Sequence, residues 1–315
     1  MIKLLQLDER TEVEWADRLE EFEASFSYPL GEGRTFRISH GKEYGRFYRA
    51  MGVVRTIVAS MSDRVVGAVS GVSREILLPK AINTRSVYLG DLKIRNDAPA
   101  GRVLLKLLES LRTQFAEDHQ SGFGIVMRGT NVVPSDYTGR LGIPQFEHVG
   151  EVSILRIPTD AISDEGDNLA DERGELDDVF VNLTHGSIAA PPGDASLRSR
   201  FEPISLCTAT GDACGLLEDT LIAKQLFDSD GAEMLSAHLS SFAFSTAAAG
   251  ARVLKSAICH ARQRGLPALF VAVPGQRTDE LLNSLAVPAT TRTSADIYAH
   301  RLPTNHDWYV NTSEI

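Results

Sequence analysis

One outline occurs twice in this chain, and that repeat restricts its fold more than any other feature. YLGDLKIRNDAPAGRVLLKLL, from Tyr88 to Leu108, superposes without a gap on HLSSFAFSTAAAGARVLKSAI, from His238 to Ile258, at an offset of 150 residues. Tyr88 falls on His238, Leu89 on Leu239, Ala98 on Ala248, and Arg102-Val103-Leu104 on Arg252-Val253-Leu254. The flanks agree in order and spacing. IVASMSDRVVGAVS (Ile57 to Ser70) and LCTATGDACGLLED (Leu206 to Asp219) both read as strand, polar turn, strand, with Gly67 on Gly215 at an offset of 148. EVSILRIPT (Glu151 to Thr159) and ADIYAHRLPT (Ala295 to Thr304) both end on Arg, an aliphatic residue, Pro and Thr, at an offset of 145. Three blocks in the same order make two copies of one unit.

Periodicity defines the unit. A hairpin spans Val53 to Ser60 and Val65 to Val72 across MSDR. A third strand follows at Val87 to Ile94. Apolar Val103, Leu104, Leu107, Leu108, Leu111 and Phe115 then give helical spacing over Gly101 to Glu117. A strand at Phe123 to Met127, a short helix over 134–140 and a strand at Val149 to Ile157 complete the copy. The second copy repeats strand, helix (Arg252 to Gln263), strand (Ala268 to Val273), helix (Asp279 to Leu285) and strand (Asp296 to Leu302). The first copy alone carries two N-terminal helices, at Glu12 to Ser25 and Lys42 to Met51. Antiparallel strands followed by strand–helix–strand–helix–strand make an α+β fold, a mixed sheet with flanking helices. The expected organisation is a first domain at 1–160, a linker at 161–196, a degenerate second domain at 197–303 and a tail at 304–315.

This order of elements, with YLGDLKI ahead of the loop and GRVLLKLL after it, resembles the GNAT superfamily of N-acetyltransferases, here as two domains in tandem. The resemblance implies acetyl-coenzyme A as the acyl donor and a small-molecule amine as the acceptor. The backbone of Leu92 and Ile94 would pair with the pantetheine, and Ala100, Gly101, Arg102, Val103 and Leu104 would surround the pyrophosphate at a helix N-terminus, where unpaired N–H donors favour anions. The family's Gly-rich pattern is missing: its basic position falls on Pro99 and its two glycine positions on Arg102 and Leu104. Arg102 can supply charge directly. The resemblance makes Asp91 the candidate general base and Tyr137 the candidate acid that protonates the thiolate, although counting back from Gly142 puts the expected tyrosine position on Thr138. The second copy has Ser241 in place of Asp91 and no tyrosine in TDELLNSLAVP, so it reads as a structural or substrate-covering partner. A protein that binds a ligand or another protein without catalysis is the alternative.

Composition removes other classes. The net charge of −10 is concentrated: Asp160 to Asp178 holds nine acidic residues and one arginine, a net of −8. The rest is near neutral and shows no basic stripe, so nucleic acid is not an expected partner. No 18-residue apolar run marks a membrane span. Cys207, Cys214 and Cys259 form no CxxC pair and read as reduced and cytoplasmic. The histidines have no metal-binding spacing, so no metal is expected; an oligomer is possible. In RTFRISHGKEYGRFYRAMG (Arg34 to Gly52), the basic and aromatic residues can border an acceptor groove. Tyr44, Phe47 and Tyr48, at i, i+3 and i+4, suit the buried face of a helix better. A solvated linker at Asp160 to Asp178 should be the first site of limited proteolysis and should exchange its amides fast. Strong protection there, read by hydrogen-exchange mass spectrometry, would reverse the charge argument.

Overall fold

The computed structural model describes residues 1–31, 33–115, 121–162 and 176–315. The first copy runs β1 (Lys3–Gln6), α1 (Glu9–Glu23), β2 (Tyr28–Gly31), β3 (Arg34–Ser39), α2 (Arg46–Arg49), β4 (Val53–Met61), β5 (Arg64–Leu78), β6 (Ile82–Ile94), α3 (Ala100–Phe115), β7 (Gly122–Met127), α4 (Pro134–Tyr137) and β8 (Glu147–Pro158). Then follow α5 (Leu176–Leu183), β9 (Ile188–Ala189), β10 (Ile204–Cys207), β11 (Ala213–Glu218), β12 (Gln225–Asp228), β13 (Ala237–Phe244), α6 (Ala247–Gln263), β14 (Ala268–Pro274), α7 (Thr278–Leu285), β15 (Thr291–His300) and β16 (Trp308–Tyr309).

The main sheet has the order β1-β4-β5-β6-β7-β15-β8-β14-β13-β11-β10. This order is nearly symmetric about the β15–β8 pair: β7 answers to β14, β6 to β13, β5 to β11 and β4 to β10. Each copy's last strand lies in the other copy's half. β15 pairs antiparallel with β7, Ile297 opposite Ile125, and β8 pairs antiparallel with β14, Leu155 opposite Val271. The two exchanged strands pair with each other, Ala295 opposite Val152. The copies are therefore one interlocked sheet, and the repeat is a repeat of sequence and local structure rather than of separate bodies.

Helices bury their apolar stripes on this sheet. Val103, Leu107 and Leu111 of α3 pack on Ile57, Ala59, Val66 and Val69, while Leu19 and Phe22 of α1 pack with Val58, Ala68 and Val72 on the opposite face. Strand alternation directs neighbouring residues to opposite faces. In the second copy Val253, Leu254, Ala257 and Ile258 of α6 pack on Leu217, Leu239, Leu269 and Val271. Burial of apolar area at about 25 cal/mol per Å² drives all of this.

Three expectations need correction. Of the expected linker, 163–175 lie outside the described residues, but from Leu176 onward the segment is packed. Leu176 and Phe180 of α5 are buried with Cys207, Cys214, Ala243 and Tyr309, and Ile188 and Ala189 of β9 are also buried. Asp177 and Asp178 occupy the first turn of α5, where the helix dipole favours acids. The tail is no free end either: Trp308, Tyr309, Val310 and 311–314 are buried. A Cβ on Gly150 would lie 2.6 Å from the Trp308 ring, so the glycine is what lets the indole lie against β8. Finally, the helix expected over Lys42 to Met51 is the single turn α2, whose start at Gly45 has no side-chain cap. Sequence reading also missed β2, β3 and β12, which form a separate three-stranded sheet.

A fragment of residues 1–160 would expose both edges of β8 and leave β7 without β15. We expect it to aggregate or remain unfolded by circular dichroism and size exclusion, and co-expression with 161–315 to restore a soluble pair. A folded, monomeric 1–160 fragment would show that the strand exchange is dispensable.

Candidate functional site

Both copies open the sheet at the same place. The parallel β6–β7 pair runs Val87↔Gly122, Tyr88↔Phe123, Leu89↔Gly124 and stops. The parallel β13–β14 pair runs Ala237↔Leu269, His238↔Phe270, Leu239↔Val271 and stops. Just beyond, each strand carries a bulge on a non-glycine residue in the left-handed region, Asp91 (φ +57°) and Ser241 (φ +47°). Such a conformation costs on the order of 1 kcal/mol and persists only where the surroundings enforce it. Asp91 and Ser241, which the gapless alignment pairs at an offset of 150, thus share a backbone conformation and a place in their strands.

The first opening is a cavity of about 260 Å³. Its walls are largely apolar, including Val69, Leu89, Leu108, Ile125 and Met127, with Asp91, Lys93, Tyr137 and Lys224 among the polar residues. The two expected catalytic residues, Asp91 and Tyr137, therefore line one cavity. Asp91 is buried and fully engaged: Lys93 Nζ lies 2.5 Å from Oδ1, and the Tyr44 hydroxyl donates to Oδ2. Lys93 also reaches Glu23 Oε1 at 3.3 Å, and Glu23 Oε1 lies 2.6 Å from His40 Nδ1. Burial alone would raise the Asp91 pKa. The opposing charges of Lys93 and His40 and the hydrogen bonds from Lys93 and Tyr44 outweigh it and hold the carboxyl below its usual range. Burial also favours a neutral Lys93, but Asp91, Tyr28 and Glu23 push its pKa up. Glu23, His40 and Asp91 offer ligand atoms within 4.8 Å of one another, yet the Lys93 ammonium already supplies their counter-cation.

Tyr137 sits at the end of α4, and burial pushes its pKa up to about 12, with help from Asp136. It is thus a neutral O–H donor at neutral pH. The adjacent Thr138 hydroxyl is spent internally: it donates to Pro134 O at 2.7 Å and accepts from Phe146 N at 3.0 Å.

Of the residues expected around a pyrophosphate, Ala100, Gly101 and Arg102 are exposed at the start of α3, and Leu104 is half-buried. Arg102 has no ion-pair partner among the described residues. The Arg102 and Val103 N–H groups both donate to Pro99 O, at 3.0 and 3.1 Å, and the Val103 side chain lies in the core. That leaves the N–H groups of Ala100 and Gly101 as the helix-end donors. Asp97 in the same loop is paired with Arg64 at 2.7 Å. Leu92 and Ile94 lie on the stretch of β6 that has no partner on the β7 side.

Sequence reading missed Lys224. Its ammonium is buried, lies 4.7 Å over the Phe47 ring, and donates to Ile315 O at 2.6 Å and Thr312 O at 3.4 Å. Burial, with Arg198 nearby, pulls its pKa down to about 7 against the opposing pull of Glu218, Glu314 and Asp91. A lone lysine in a segment without periodicity carries no signal of this in the sequence. Tyr44, Phe47 and Tyr48 are buried, as their spacing suggested, and Phe47 and Tyr48 line the cavity as well.

The second opening is filled by the chain itself. Ser241 N donates to Asn311 Oδ1 at 2.8 Å, Ser240 Oγ and Ser313 Oγ lie 2.8 Å apart, and His238 Nδ1 is 3.0 Å from Thr312 Oγ1. Glu314 anchors this segment: its carboxylate meets Arg74 at 2.8 Å and Arg198 at 3.1 Å, and accepts from Gly193 N and Asn311 Nδ2. Arg198 in turn pairs with Glu218 at 2.7 Å.

No family model matches this sequence, and no curated protein is similar to it in sequence. The fold does have solved relatives. Saccharomyces cerevisiae N-myristoyltransferase with bound myristoyl-CoA superposes with a TM-score of 0.63 at 9% identity over 98% of this chain and 84% of that one. A GCN5-related N-acetyltransferase from Anabaena variabilis gives 0.53 at 12% identity, over 95% and 72%. A conserved Enterococcus faecalis protein described as a probable N-acyltransferase gives 0.52 at 9%, over 95% and 72%. The chain shares the GNAT fold of these structures.

Burial would raise the Glu314 pKa, but Arg74 and Arg198 overcome it and hold the group at about 2. A folded-state pKa below the unfolded value near about 4 stabilises the fold above that value, and the stabilisation is lost as pH falls towards about 2. Glu314→Gln should therefore cost about 3 kcal/mol at pH 7, because it leaves the buried Arg74 without a carboxylate and Arg198 with Glu218 alone. In urea melts the gap between variant and wild type should narrow below about pH 4; a gap that does not change with pH would remove Glu314 from this role.

Proposed function

We propose that the chain transfers an acyl group from an acyl-coenzyme A thioester, acetyl-coenzyme A in the simplest case, to a small amine held in the first opening. The observation that carries this is the splayed β6–β7 pair, with its bulge at Asp91, a helix N-terminus at Ala100 and an apolar cavity lined by Asp91 and Tyr137. The solved structures of like fold include one with bound myristoyl-CoA and two named as N-acetyl- or probable N-acyltransferases. In this reading the unpaired edge of β6 at Leu92 and Ile94 receives the pantetheine, and Ala100, Gly101 and Arg102 receive the pyrophosphate.

Chemistry requires the amine to lose a proton and the thiolate to gain one. The neutral Tyr137 phenol suits the second task. For the first, Asp91 is a weak choice, because a base works best with a pKa near the working pH and Asp91 is held low. We assign Asp91 the task of holding Lys93, Tyr44 and the bulge in place. Lys224 is better matched as the base. A neutral amine has two N–H groups and one lone pair, and two neighbouring oxygens, Thr312 O and Ile315 O, accept from the two N–H groups.

Calorimetry with acetyl-coenzyme A and a thiol-release assay on the full chain test this reading. We expect donor binding, a rate that rises as pH passes up through about 7 where Lys224 loses its proton, and a loss of about 100-fold in kcat for Tyr137→Phe and Lys224→Met. Lys224→Met also has a readout without substrate. The folded state releases a proton near pH 7 that the unfolded chain keeps to about pH 10, so wild-type stability should rise with pH across that window and the variant's should not. No binding of any acyl-coenzyme A by the folded chain would leave the ligand-binding alternative.

A further inference from the structure

A second cavity, of about 70 Å³, lies at the seam of the two copies. Its floor is one cross-strand row through the centre of the sheet: Thr291 pairs with Arg156, Arg156 with Phe270, and Phe270 with His238. Phe36 of β3 and Leu226 of β12, from the small sheet, also line it. The cavity continues into the first one, because Phe36, Met127, Lys224 and Ile315 line both.

Two polar groups of this wall lack partners. The Arg156 side chain makes no hydrogen bond or ion pair among the described residues. His238 is buried, and its Nε2 has no hydrogen-bond partner while Nδ1 is used by Thr312. Among the described residues no Asp or Glu side chain lines the cavity, in a chain whose net charge is −10. A half-buried guanidinium with no carboxylate beside it is open to pairing with an anion that enters the cavity. Burial and the nearby Arg34 both disfavour the charge on Arg156, which adds to the demand for one.

Resting on the acyl-transfer reading above, we infer that this cavity is the acceptor's recognition subsite and that the acceptor is a carboxylate-bearing amine, an amino acid whose carboxylate pairs with Arg156 while its amine reaches the first cavity beside Lys224. A carboxylate brings one charge to one guanidinium, in the planar geometry that accepts two parallel hydrogen bonds. A phosphate would bring nearly two charges to the same guanidinium and a buried imidazole. Burial holds that imidazole's pKa well down, with Lys224 and Arg198 adding to the effect. The small volume and the apolar surfaces at Phe36, Leu226 and Phe270 favour a compact acceptor.

The test compares glycine, alanine and leucine with their amides on the full chain, by thiol release from acetyl-coenzyme A and by calorimetry of each acceptor without donor. We expect the free acids to exceed the amides by about tenfold or more in kcat/KM and to bind more tightly. Arg156→Gln should bring the ratio near one through KM, with kcat and acetyl-coenzyme A affinity little changed, and Arg156→Lys should keep part of the preference. Thermal melts check that both variants fold. Equal use of acid and amide by wild type, or an unchanged ratio in Arg156→Gln, overturns the inference and leaves acyl transfer standing. Failure to bind any acyl-coenzyme A overturns the acyl-transfer reading instead. In that case, tighter donor-free binding of acids than amides, lost in Arg156→Gln, would still support the subsite, and its absence would remove it.

Discussion

The antiparallel pairing of β8 with β15 is the contact on which the rest of the structure depends. Each copy's parallel strand pair, β6–β7 or β13–β14, is hydrogen-bonded for only three residues before it opens. An opened pair is useful as a cleft, but it is a weak seam within a sheet. The exchange of last strands relieves this. β15 covers the far edge of β7 over six residue pairs, and β8 covers that of β14 over seven. Buried Val152, Leu155, Ile157, Ala295 and Ile297 fix the register, because a slip of one residue would turn those apolar side chains to the wrong face. The clefts can stay open because the strands beside them are held by the other copy.

The same bulge then has two fates, decided by charge. At an offset of 150, Asp91 and Lys93 correspond to Ser241 and Ala243. The first bulge carries a buried ion pair, tied to Glu23 and His40, and it faces a cavity. The second has lost both charges, so neutral groups of the chain can enter, and Asn311 takes the Ser241 N–H directly. The charges of the second half are displaced to Arg198, Glu218 and Glu314, where they clamp the inserted segment rather than face a ligand.

How much of this was legible depends on whether the determinant is local. The hairpins, α3, α6 and the equivalence of Asp91 with Ser241 were readable, because periodicity and a gapless repeat record them. The strand exchange was not. EVSILRIPT and ADIYAHRLPT would carry the same apolar pattern whether each joined its own half or the other. The acidic segment misled at its end, since Leu176 and Phe180 of LDDVFVNL bury an apolar stripe that the flanking charges hid. Asp91 and Tyr137 were singled out through the resemblance, and both line the first cavity. Lys224 and Arg156 were missed because what sets them apart, burial against carbonyl groups and the absence of a counter-charge, exists only when distant segments meet.

The second copy's own cleft is filled by the segment at 311–314. Lys224, His238, Phe270 and Thr291 belong to that copy, and all four line the cavity at the seam. The segment that fills that opening passes Thr312 along His238 and brings Ile315 to Lys224, so the filling also builds the wall between the two cavities. If the first copy holds the donor, the second supplies the base and half of the acceptor's surroundings. Loss of its own Asp91 equivalent would then cost nothing, whereas loss of the Glu314 clamp would release the wall. On that proposal the second copy would keep its sequence outline because its fold is still part of the site.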